Sequence, residues 1–414
     1  MNRNLKVVLA ASMVALTAAC SDNGFEPVAS DVRPLMDLEH AGPSYMSNYV
    51  ALGTSLSMGW ASDGVLSSSQ ATSWPVQLAD RLHTPFSFPG IAFPGCKPPF
   101  AEPLSAFKRI DGSSSLAANT TCAPNEAGVT LPTNNLAVEN ATAREAFTGS
   151  ESPTNGRAAV TSRVLPAGMT QVSTMRSLNP TFVSVEFGGN EILPAQAGLV
   201  IPGLTVTPFP VFQANYAGII AAVQGTGARA LLVSIRTDLR NFPAIRTGPE
   251  IASQRDAFAK YNVTVDANCD ASPNFLFVRG IVPTAILTGA GRARAGAGPY
   301  NLSCADRPFT VDYILSPSDL AAVNGLAEQM SDEIERHAAE NGYAVFPLGV
   351  LYEIAKDGVA FDLESYLNSA APYGDLISLD GVHPSPAGQA IFAKAASKAI
   401  RKTYGQKGDR QNEK

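Results

Sequence analysis

Four polar side chains, far apart in the chain, have the chemistry of an acyl-transfer site. In "YVALGTSLSMG" an apolar run stops at Gly53, and Thr54 and Ser55 follow it. A serine hydroxyl becomes a nucleophile when a base takes its proton. The chain has four histidines, and His383, in the turn-rich "DGVHPSPAG", is the one in a loop suited to meet a nucleophile. His40 lies in a polar stretch, His83 ends a helical pattern and His337 lies inside one. Asp380 stands three residues before His383. At that spacing a carboxylate can accept from Nδ1–H, fix the tautomer and stabilise an imidazolium. In "VEFGGNE", Asn190 follows two glycines. Its carboxamide can donate to an oxyanion, a contribution of about 3 kcal/mol in a transition state. Each pattern alone also serves plain structure, with Ser55, Asn190 or Asp380 acting as a helix cap.

Bringing these residues together requires a scaffold whose loops converge. Tyr49–Leu52, "PFSFPG", "TFVSVEF", "ALLVSI" and "YAVFPLG" have the apolar, turn-bounded pattern of strands. "SWPVQLADRLH", "AGMTQVSTMRSLN", "VFQANYAGIIAAVQG", "SDLAAVNGLAEQMSDEIERHAAENG" and "SPAGQAIFAKAASKAIRK" have helical periodicity. Ser318 is placed to cap the fourth and Gly342 to end it. Strands that alternate with helices predict a parallel sheet covered on both faces. Ligands of such sheets bind at the carboxyl ends of the strands, where Gly53-Thr54-Ser55 and Gly188-Gly189-Asn190 both fall. Two polar segments without a sustained period interrupt the alternation, about 96–165 and 237–308. They predict insertions over the sheet ends, serving as lid, substrate wall or surface elaboration.

The chain has 414 residues, 45% hydrophobic and 16% charged, enough for a large core. A net charge of −6 gives no basic footprint for nucleic acid. Met1 to Ala19 has a basic head, an apolar stretch too short to span a bilayer and small residues before Cys20. This is the pattern of a secretory signal. "LTAAC" resembles a bacterial lipobox, with Thr17 where the usual form has its larger apolar residue. The resemblance implies cleavage before Cys20, lipidation of its thiol and a membrane anchor, with Ser21 favouring the outer membrane. Residues 20–46 then read as a tether, 47–405 as the folded domain and 406–414 as a polar tail. Cys96, Cys122, Cys269 and Cys304 remain, an even set that suggests disulfides in an exported chain. Of three pairings, Cys96–Cys122 with Cys269–Cys304 is the simplest. Zinc is the rival, but there is no Cys-x-x-Cys pair and few histidines.

Three stretches, in order, resemble the SGNH or GDSL hydrolases. "ALGTSLSMG" is similar to the family's Gly-Asp-Ser-Leu block, "VSVEFGGNE" to its Gly-x-Asn-Asp block and "LDGVHPSPAGQ" to its Asp-x-x-His-Pro block. The resemblance implies a three-layer α/β/α fold with a mostly parallel, flavodoxin-like sheet. It implies Ser55 as nucleophile, His383 as base and then acid, and Asp380 as the orienting carboxylate. It assigns the oxyanion to the Ser55 N–H, to Asn190 and to a glycine N–H of a second block, for which Gly90, directly after the short strand, is favoured over Gly95. Thr54 and Glu191 stand where the family has aspartates, so hydrogen bonding around the serine must differ. The expected activity is hydrolysis of an ester through an acyl-serine, with no cofactor and no metal. The ester could belong to a lipid, a short-chain compound or an acetylated sugar; the alternative is a non-catalytic surface binding protein on the same fold.

Overall fold

A computed structural model describes residues 42–148, 157–356 and 359–405. The expected signal, Cys20, the tether up to His40 and the polar tail lie outside the described residues. Four parallel strands form the central sheet: β1 (Tyr49–Leu52), β2 (Phe182–Glu186), β3 (Arg229–Ser234) and β4 (Ala344–Pro347), adjacent in that order. Every residue of β1 and β2 is buried. That matches their largely apolar sequences, because helices cover both faces.

One face carries α2 (Trp74–Arg81) and α8 (Pro386–Tyr404); the other carries α3 (Gln171–Leu178), α4 (Phe209–Gln224) and α6 (Pro317–Asn341). In α6 the stripe Leu320, Val323, Met330 and Ile334 is buried, and Gly342 closes the helix at φ 63°. Its cap is Ser316, whose Oγ accepts from Asp319 N at 3.1 Å, rather than Ser318. Pro317 occupies the first helical position, where proline's missing N–H costs nothing, and this sets the start two residues earlier. Among the described residues no helix is long and apolar enough to cross a membrane.

The expected strand at "PFSFPG" does not form. Pro85 and Pro89 cannot donate to a ladder. The edge of β1 is instead met by residues 134–136: Ala51 N donates to Asn134 O and Leu136 N to Ala51 O, both at 2.9 Å. The insertions also have structure. The second carries α5 (Val278–Arg294) and strands Ile245–Thr247 and Phe275–Phe277, which pair antiparallel; Phe275–Phe277 also pairs antiparallel with Ile314–Leu315 just beyond the insertion, and α7 (Gly349–Lys356) comes after β4. Cys96 pairs with Cys122 and Cys269 with Cys304, so each bridge staples one insertion and no thiol among the four is left for zinc.

Candidate active site

Gly53 leaves β1, and α1 (Ser55–Met58) begins two residues later. A side chain at Gly53 would put its Cβ 2.7 Å from Ser57 Oγ and 3.0 Å from Glu186 Oε2, so only glycine fits. The Gln171 carboxamide clamps that glycine, accepting from its N–H and donating to its carbonyl, each at 3.0 Å. Ser55 is the first helical residue; the capping position belongs to Thr54, whose hydroxyl turns away to Glu186. The Ser55 N–H makes no hydrogen bond among the described residues.

On the opposite side, residues 378–383 form a closed turn. Ser378 N donates to His383 O at 2.8 Å and Gly381 N to Ser378 O at 3.0 Å. Gly381 has φ 76° and a Cβ there would lie 2.6 Å from Tyr373, a second place where glycine is required. The turn folds Asp380 and His383 toward one another. Asp380 Oδ2 lies 2.9 Å from His383 Nδ1, while Oδ1 accepts the N–H groups of Val382 at 3.0 Å and His383 at 2.8 Å. His383 Nε2 lies 2.9 Å from Ser55 Oγ. Asp380 is fully buried. Burial alone would raise its pKa, but the His383 ring, the Arg279 charge and the backbone donors outweigh burial and hold it well below the ordinary carboxylate range. An ionised Asp380 can only accept, so Nδ1 carries the proton and Nε2 is left to accept from the Ser55 hydroxyl.

Asn190 follows β2 on the Ser55 side. Its Nδ2 donates to Ala141 O at 2.9 Å, which uses one of two amide protons. Ala141 closes a turn with Val138 O, and Val138 N donates to Gly53 O at 3.1 Å, so residues 138–141 run beside the nucleophile. Asn140, within this turn, has φ 54° and an N–H with no partner among the described residues. Gly90 stands elsewhere. Its carbonyl accepts from Glu126 N at 2.7 Å, a Cβ there would meet Val129 at 3.1 Å, and, unlike Asn140, neither it nor Gly95 borders the cavities at Ser55 and Asn190. The structure thus brings Ser55, Asn190, Asp380 and His383 together and leaves Gly90 and Gly95 out of the group. His337 pairs with Glu333 on its own helix at 3.1 Å.

Sequence reasoning missed Asn140, Glu186 and Gln171. Asn140 had one signal, since asparagine tolerates the left-handed region better than most residues. Glu186 sits at the end of a buried strand and accepts from Thr54 N and Thr54 Oγ1 at 2.9 Å and from Ser57 Oγ at 3.0 Å. Burial pushes its carboxyl up to about 7, against the pull of these donors. Glu191 is likewise pushed up to about 7 by burial and accepts from Ala143 N at 2.7 Å.

Two cavities meet at Asn190. The first, of about 70 Å³, borders Ser55 and His383 and is walled by Leu56, Ile192, Ile235, Phe242, Phe277 and Tyr352. Phe242 and Phe277 come from the second insertion. The second cavity is open, about 710 Å³, and shares Asn190, Leu193 and Gln196 with the first. Amides and hydroxyls of Asn140, Thr142, Thr205, Thr207 and Asn215 mark its walls.

A parallel α/β/α sheet with a serine, an imidazole and a carboxylate hydrogen-bonded in line at its carboxyl end defines an acyl-hydrolase scaffold. A family model described as GDSL-like Lipase/Acylhydrolase matches residues 49–396, and the chain belongs to that family. It is therefore a hydrolase with an ester-type substrate. No curated protein matches the chain.

Proposed function

We propose that this protein is a carboxylesterase for esters with short acyl groups, acting through Ser55, His383 and Asp380. The observation that carries this reading is the unbroken chain of 2.9 Å contacts from Ser55 Oγ through the His383 ring to Asp380, beside an apolar cavity. His383 Nε2 takes the Ser55 proton as Oγ attacks the carbonyl carbon. The carbonyl oxygen becomes an oxyanion and is met by the N–H groups of Ser55 and Asn140 and by the Asn190 amide proton that Ala141 does not use. The C–O bond to the alcohol breaks, and the alcohol leaves with the proton from Nε2. Water then repeats the sequence: its proton goes to Nε2 and its oxygen to the acyl carbon, the acyl–Oγ bond breaks, Oγ takes the proton back from Nε2 and the acid leaves. The apolar cavity beside Ser55 is small, about 70 Å³, which suits a short acyl group rather than a long one.

The open cavity favours a second, narrower reading, in which the alcohol is a carbohydrate. Its amides and hydroxyls, set among apolar side chains such as Leu204, Val206 and Val211, match the hydroxyls and apolar faces of a sugar. Thr54 and Glu191 stand where the family has aspartates but remove no reacting group, so they do not favour a non-catalytic binding protein. Export and lipidation at Cys20 complete the proposal, and two disulfides suit an oxidising compartment. A fluorophosphonate probe tests the chemistry: the parent should be labelled and Ser55→Ala should not. An unlabelled parent that hydrolyses no p-nitrophenyl ester would refute it.

A further inference from the structure

Beyond the serine, histidine and asparagine lies a buried charge cluster that the proposed chemistry leaves unused. Ala61 and Gly64 exchange both backbone hydrogen bonds, closing a two-residue hairpin turn. Its central residues, Ser62 and Asp63, have φ 53° and 60°, the left-handed pair that such a turn demands. The turn is stitched to the His383 loop. Ser62 N donates to Ser378 Oγ at 2.9 Å, and Asp63 N donates to Asp380 Oδ2 at 2.8 Å. That oxygen is the one facing His383 Nδ1.

Three cations hold the Asp63 carboxylate: Arg279 on Oδ1, and Arg109 and Lys97 on Oδ2, each at 2.7 Å. Arg109 also donates to the Asp63 carbonyl at 3.2 Å and to Pro98 O at 2.7 Å, and its side chain is 3% exposed. Lys97 and Arg109 come from the first insertion and Arg279 from α5 in the second. One buried and two half-buried cations around one carboxylate are costly unless further negative charge is near. Asp380 supplies it, since Arg279 faces both carboxylates.

We infer that Asp63 is a positioning residue for the Asp380–His383 pair, clamped by cations that the two insertions deliver. Its backbone N–H fixes Asp380 Oδ2, and the cluster sets the field in which the imidazolium forms. The insertions are then part of the machinery and not only its surroundings. The effect on turnover rests on the esterase mechanism proposed above; the effect on the His383 ring does not.

Charge removal of opposite sign tests this. Asp63→Asn takes away negative charge, so the imidazolium is less favoured. Arg279→Gln takes away positive charge, so it is more favoured. Two readouts apply to the full chain: the acid limb of kcat/KM for p-nitrophenyl acetate, and the pH titration of the His383 Cε1–H by NMR, assigned with His383→Ala. The midpoint should fall by about half a pH unit in Asp63→Asn and rise by about half a unit in Arg279→Gln. In Asp63→Asn kcat should fall on the order of tenfold with KM little changed. The other titratable neighbours leave this contrast intact. Burial raises the pKa values of Tyr352, Tyr366 and Tyr373, which stay neutral in this range, and Glu186 is common to all the variants. Midpoints that stay put, or move the same way in both, would overturn the assignment. Lys97→Gln, a half-buried cation of the first insertion, should shift the midpoint as Arg279→Gln does; if Asp63→Asn does not fold, an unmoved midpoint in both cation variants overturns it. A parent that cleaves no ester would sink the proposed function, while the NMR titration would still decide on the clamp.

Discussion

Replacing Glu186 by Gln should flatten the pH dependence of stability. Glu186 is fully buried under the nucleophile turn, and burial raises its carboxyl from 4.5 to about 7. The folded state therefore holds the proton more tightly than the unfolded chain. Between these two values the native protein binds more protons, so stability falls as pH rises, and the loss is complete above about 7. The gap between 4.5 and about 7 amounts to about 3 kcal/mol, of which about 2.5 kcal/mol falls between pH 5 and pH 8. Glutamine keeps the shape and never ionises. With its oxygen in the place of Oε2 it can accept from Thr54 N and the Ser57 hydroxyl, and its NH₂ in the place of Oε1 can donate to the Thr54 hydroxyl, which rotates to suit.

The assay is urea unfolding of the parent and Glu186→Gln at pH 5 and pH 8, followed by the emission of Trp60 and Trp74, both buried. The parent should lose about 2.5 kcal/mol more than the variant on going from pH 5 to pH 8. This double difference cancels any cost of the amide that is common to both pH values. Glu191, raised to about 7 by the same cause, remains in both proteins and drops out. Equal pH dependence in parent and variant would refute the claim that a buried carboxyl ionises beneath Ser55. Thr54→Asp should act in the opposite sense, setting a second carboxylate where a hydroxyl now donates to Glu186 at 2.9 Å. It should destabilise the fold most at pH 8.

Asn190→Ala should lower kcat by about two to three powers of ten with little change in KM; steady-state kinetics that show a pure KM effect would contradict the oxyanion role. Ile235→Phe narrows the apolar cavity, so activity across p-nitrophenyl esters should shift toward acetate over butyrate by about tenfold; an unchanged chain-length profile would place the acyl group elsewhere. Cys20→Ala should release the protein from membranes into the soluble fraction; continued pelleting would count against lipidation.

The scaffold was legible because its signals are local. An unbroken apolar strand, a glycine at its end and a capped amphipathic helix each fix a few neighbouring residues, and the four strands of the sheet lie where those signals put them. Ser55, Asn190, Asp380 and His383 were legible for another reason. Each is a side chain whose chemistry is scarce, at the end of an element whose direction was already known. What stayed hidden is supplied by backbone and by partners. The role expected of Gly90 was assigned by residue type, yet the turn beside Ser55 is built from "VENA", with asparagine taking the left-handed position. "PFSFPG" looked like a strand by its aromatics, but prolines removed its donors.

Glu186 and Asp63 show why a pattern could not have found the rest. In one dimension Glu186 is a polar interruption in an apolar strand and Asp63 an acidic residue in a turn. Only the register of β1 against β2, Leu52 opposite Val185, sets Glu186 beneath Thr54 and Ser57. The same register explains the departure from the family's aspartate at Thr54. With a carboxylate already supplied by β2, an aspartate there would meet like charge in a buried site, and a hydroxyl donates instead. Thr54 and Glu186 are therefore one feature, written 132 residues apart. A variant carrying Thr54→Asp together with Glu186→Gln should recover most of the stability that Thr54→Asp alone loses, because one carboxylate again faces neutral donors. Strictly additive losses in that cycle would mean that the two positions are independent, and that the threonine has some other cause.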